Sequence, residues 1–137
     1  MPTDFELAEW DKFASYIYII GSVIAVIASN KDEQLLVQEQ TGGKKTSGTQ
    51  SSPSSLTPSQ LVVLISLLFV IGNIIFGQIS FFRLEKVEEN ISAGTEKGSA
   101  LPNQYIAFGW ILGIVGSIIR LAGAQLRVEE EKTITIL

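Results

Sequence analysis

The stretch 59-SQLVVLISLLFVIGNIIFGQISFF-82 decides the fold, because it runs for 24 residues without a formal charge. As an α-helix rising 1.5 Å per residue it is about 36 Å long, enough to cross the ~30 Å hydrocarbon core of a bilayer. A soluble amphipathic helix interleaves charge every three or four residues so that one face stays wet. Here no charged side chain occurs from Thr46 to Phe82, nor from Gly98 to Ile119.

Two further apolar runs lie on either side. Pro102 to Ile119 is long enough to span, and Phe13 to Ser29, at 17 residues, is at the short end of the range. A cleaved signal peptide needs a basic leader. The first run is preceded instead by Asp4, Glu6, Glu9 and Asp11 against a single Lys12, so a retained helix is expected. The reading is therefore all-α: one membrane domain over 1–137, a three-helix transmembrane bundle with polar helical extensions and a flexible first loop.

Composition narrows the chemistry. A soluble chain would have to explain 46% hydrophobic residues gathered in long blocks. There is no Cys and no His, which removes disulfides, thiolate chemistry, the usual proton shuttle and the commonest metal ligands. The net charge of −4, with no dense basic patch, argues against nucleic acid. No metal, cofactor or catalytic residue is expected. Glu85, Glu88 and Glu89, and Glu129 to Glu131, read as solvated helix ends. Gly42-Gly43-Lys44-Lys45-Thr46 lacks the first glycine and the preceding strand of a phosphate loop.

Spans are expected over 13–30, 59–82 and 103–125. Thr3 is a fitting N-cap for a helix that begins outside the bilayer, with Asp4 and Glu6 suiting its positive end. The segment 41–58 is rich in Gly, Ser, Thr and Gln and reads as a flexible loop. Thr57-Pro58 then starts the second helix, with Thr as cap and Pro at the first helical position. A loop is expected over 92–101 and a polar tail over 126–137.

Aromatic residues test three spans, because Trp and Tyr gather at membrane interfaces. Trp10, Phe13, Tyr16, Tyr18, Phe81, Phe82, Tyr105, Phe108 and Trp110 all fall at one end if helix direction alternates; Phe5, Phe69 and Phe76 do not. A belt or internal packing accounts for that grouping equally well. Basic residues divide six to four in favour of the side holding the first loop and C-terminus. That division favours N-out, C-in; the compact size and lack of targeting signals make a bacterial cytoplasmic membrane the expected location.

Each helix owns a seam of small or polar residues. The first has Ala14, Gly21 and Ala28, and the second Ser66, Asn73 and Ser80, both at intervals of seven, close to two turns. The third has Gly109, Gly113 and Ser117 at intervals of four, where small residues let backbones approach in lipid. The expected helix-packing residues are Gly109, Gly113, Ser117, Gly21, Ser66 and Ser80. The expected buried polar residues are Asn73, as an interhelical hydrogen bond, and Arg120. Arg120 would snorkel to headgroups or pair with Asp32 or Glu33.

Beyond the lipid bilayer itself, these seams point to a homo-oligomer or a membrane-protein partner. The function read from them is a non-enzymatic accessory, regulatory or self-associating membrane component. The alternative is a pore former: three spans, short length and an outside N-terminus resemble some phage holins. The tail departs from that pattern, since Arg127 and Lys132 are matched by three glutamates instead of forming a basic run.

Overall fold

The computed structural model describes residues 2–40 and 56–135. They form three α-helices, α1 (Asp4–Gln40), α2 (Pro58–Ser92) and α3 (Leu101–Thr135), with no strand among the described residues. All three are long and apolar enough to cross a membrane. Each is unbroken through its polar extension, so α1 outruns its uncharged core at both ends and α2 and α3 outrun theirs at the C-terminal end. The flexible loop read over 41–58 lies outside the described residues except for its last three.

Local chemistry sets the starts and stops. Thr3 and Thr57 build the same capping box. The Thr3 hydroxyl accepts from the Glu6 amide at 3.2 Å, while Glu6 accepts from the Thr3 amide at 2.7 Å. Thr57 and Gln60 repeat the exchange at 3.3 and 3.0 Å, with Pro58 at the first position. Two otherwise orphaned donors are satisfied at each start. The α2 C-terminus closes at Gly94, whose φ of +71° is left-handed. The Gly94 amide turns back to the Ile91 carbonyl and the Thr95 amide to Asn90, both at 3.0 Å. Glycine takes this conformation without a Cβ clash, so the chain reverses there and reaches α3 within a few residues.

The helices alternate in direction, and α2 stands in the middle. α1 and α3 each pack along α2 but not against one another. The bundle is thus an open arc, and the seams of α1 and α3 face α2 instead of meeting at a common centre. The α1 seam gains Leu7, so that Leu7, Ala14, Gly21 and Ala28 are all buried at intervals of seven. The α2 seam gains Ser59, and Ser59, Ser66, Asn73 and Ser80 are all buried. On α3 the buried residues are Ala107, Ser117 and Ala124. Trp110, Ile114 and Leu121 are half-buried between them. Steps of three and four residues keep one stripe turned to one neighbour.

Large apolar side chains cover the outside. Ile19, Ile20, Val23, Val26 and Ile27 on α1, and Ile106, Leu112, Val115, Ile118 and Ile119 on α3, are all exposed. Such continuous apolar faces are costly in water and are the surface that lipid requires.

Candidate functional site: an intramembrane polar and aromatic cluster

The polar groups of the apolar region converge on the middle of α2. Asn73 is 8% exposed. Its side-chain carbonyl accepts from the Tyr18 hydroxyl of α1, and its Nδ2 donates to the Gly113 carbonyl of α3 at 3.1 Å. One amide therefore joins all three helices. Ser66 and Ser117 spend their hydroxyls on their own helices, on the Val62 and Ile114 carbonyls, both at 2.8 Å. The α2 seam is chemically uneven: its serines are mainly small, while Asn73 and Ser59 bridge helices. Ser59 does so at the far end by donating to Glu131.

An aromatic stack surrounds Asn73. Phe69 stacks on Tyr18 with centroids 5.0 Å apart, Tyr18 meets Phe76 edge-on at 5.6 Å, and Phe76 stacks on Trp110 at 4.7 Å. Phe69 and Phe76, outside the one-sided aromatic grouping read from sequence, thus join two of its members, Tyr18 and Trp110, in internal packing. Phe13, Tyr16, Tyr105 and Phe108 face outward at the end where a belt would lie. That end is also clasped outside the apolar core. Arg83 donates to Asp11 at 2.9 Å, Lys86 to Asp4 at 2.6 Å, and Gln104 to Glu88 at 3.2 Å. At the opposite end Lys31 donates to the Leu56 carbonyl at 3.0 Å.

Close approach depends on particular glycines. A Cβ on Gly21 would stand 2.8 Å from the Phe69 ring, and one on Gly72 would stand 2.5 Å from the Tyr18 ring. One on Gly77 would meet Ile114 at 3.1 Å. Gly113 faces Asn73, with its virtual Cβ 3.6 Å from Oδ1. Gly72 and Gly77 carry no special signal in the sequence; only the pairing of helices shows what stands opposite them. Ser59, by contrast, was accessible to sequence reasoning, one interval of seven before Ser66.

Two expectations are corrected. Gly109 is not a packing residue within the chain: it is exposed, and nothing lies within 4 Å of a Cβ built there. The interval of four from Gly113 leads off the stripe of Ala107, Trp110, Ile114 and Ser117 that meets α2. Arg120 is not a buried polar residue but an exposed one. It pairs with neither Asp32 nor Glu33; its guanidinium carbon lies 5.4 Å from the Phe69 ring centroid, a cation–π contact. Phe69 sits beside Gly21, and Asp32 is eleven residues further along α1, about 16 Å of helix.

The fold and this cluster define a small helical membrane protein. No family model, curated protein or solved structure matches the chain.

Proposed function

We propose that the protein is a non-enzymatic membrane component that works by association, as an accessory or regulatory subunit. The observation that carries this reading is the state of Asn73. Its amide is spent on Tyr18 and Gly113 within an aromatic packing, as a group holding register would be, and not along a hydrated path. The open arc adds support, since an outer helix that meets only α2 keeps most of its circumference for a neighbour. A single copy in which α1 and α3 stay apart also encloses no lumen of its own. The proposed setting is a bacterial cytoplasmic membrane with the N-terminus outside.

The competing reading is permeation, in which several copies would line a path. Membrane potential and lysis during controlled expression in a bacterial host separate the two. Association predicts an intact potential at high expression, for the native chain and for Asn73→Leu alike. Rapid depolarisation by the native chain, lost in Asn73→Leu, would replace the association reading with a pore.

A further inference from the structure

Arg120 is a cation within the apolar region that the described residues leave unpaired. Among the described residues it has no carboxylate or hydrogen-bond acceptor, only the Phe69 ring. Its depth follows from α2. Phe69 is fourteen residues from Arg83 and ten from Ser59, so about 21 Å and 15 Å of helix separate this level from the two ends of the uncharged run. On α3 itself the next charge, Arg127, is seven residues on, about 10 Å. An ionisable side chain at such depth is costly and calls for a partner.

The same ring shows where that partner would lie. Phe69 is touched by Tyr18 from α1 and by Arg120 from α3, while the α1 and α3 backbones stand apart. Arg120 therefore stands at the edge of a groove along α2, between the two outer helices. Gly116 and Gly123, one turn before and one turn after Arg120, have nothing within 4 Å of a Cβ, so this wall admits a backbone closely.

We propose that Arg120 docks a transmembrane helix of a different protein, one that carries an Asp or Glu at this depth and lies in the groove between α1 and α3. Charge complementarity selects that occupant. A second copy has no acidic residue to offer at this depth, since Asp and Glu are absent from all three of its apolar runs. A lipid phosphate is disfavoured by direction. Side chains on a helix tilt toward its N-terminus, which on α3 points away from the nearer interface, and the guanidinium lies over Phe69. This inference rests on the association reading and names the chemistry of its partner.

The test uses the full chain in phosphatidylcholine vesicles with poly-leucine transmembrane peptides, and reads association by energy transfer. One peptide carries a single Asp placed at the level of Arg120, a second carries Leu there, and a third carries the Asp five residues away. The expected result is at least tenfold tighter association of the first peptide than of the others. Arg120→Gln abolishes the preference, and Arg120→Asp restores binding to a peptide bearing Arg. Because Arg120 is exposed, helix content and tryptophan emission of these variants should match the native chain. Equal binding of the Asp and Leu peptides, or a preference that survives Arg120→Gln, would overturn the proposal. So would self-association lost in Arg120→Gln, or peptide binding displaced by anionic lipid alone. None of these outcomes involves Asn73 or the membrane potential, so a failure here is distinct from a failure of the association reading.

Discussion

Gly72 and Tyr18 show how closely single atoms set the packing. The ring fills the space where a Cβ would stand, and its hydroxyl then reaches Asn73. Gly72→Ala should push the ring aside and loosen α1 from α2, at a cost of about 1–3 kcal/mol for overpacking. Gly116→Ala, which meets open space, should not destabilise the isolated chain, since alanine is the better helix former. Unfolding in mixed micelles followed by tryptophan emission compares the two directly. The hydrogen bonds of Asn73 belong to the same scale. Interhelical bonds in membranes are worth about 0.6 kcal/mol on average and reach about 1.7. Asn73→Leu and Tyr18→Phe should each fall in this range. Their double variant should cost less than the sum, because both remove one shared bond. Strict additivity would mean that the two side chains do not interact. Asn73 itself was legible in the sequence, as an amide deep in an apolar run. Tyr18 was not: aromatic residues near a helix start serve a belt or a stack equally well until a neighbour is known.

At the scale of the helix, the two capping boxes decide where α1 and α2 begin. Thr57→Ala should remove the hydroxyl acceptor for the Gln60 amide and cost ~1 kcal/mol, read as faster hydrogen exchange in the first turn of α2. Its counterpart at Thr3 responds to pH. Glu6, fully exposed and outside the membrane-spanning segment, is held below the ordinary glutamate range, first by the Thr3 amide and then by its hydroxyl. A depressed folded value means that the charged form is the one stabilised. The contribution of Glu6 is therefore present above the ordinary glutamate value and is lost as pH falls through the lower, folded one. Protection of the first turn of α1, taken relative to the intrinsic exchange rate at each pH, should fall on acidification, and Glu6→Gln should remove most of that pH dependence. A response unchanged in Glu6→Gln would assign it to another group. Both threonine caps were visible in the sequence, because a capping box is local and its partners are three residues apart.

Across the whole molecule, the open arc is the property with most consequence. The native chain has no cysteine, so introduced pairs can map it without background. Ala28 and Leu61 share one buried cluster, and Ala28→Cys with Leu61→Cys should oxidise readily. Ala28→Cys with Ala124→Cys should not oxidise within a single chain. These alanines are buried in the two outer helices, which do not pack on one another. Efficient cross-linking of the second pair in a monomer would require a closed bundle. The three spans and the seams at intervals of seven were determined by the sequence alone, because apolar length and helical period are properties of consecutive residues. Which seam faces which neighbour, that α2 stands between the others, that Gly109 looks outward and Arg120 lies over Phe69 were decided only by the tertiary structure. Those relations depend on register and rotation between helices far apart in the chain. In lipid every apolar face is equally tolerable on its outside, so hydropathy cannot rank them, and close packing with a few hydrogen bonds makes the choice.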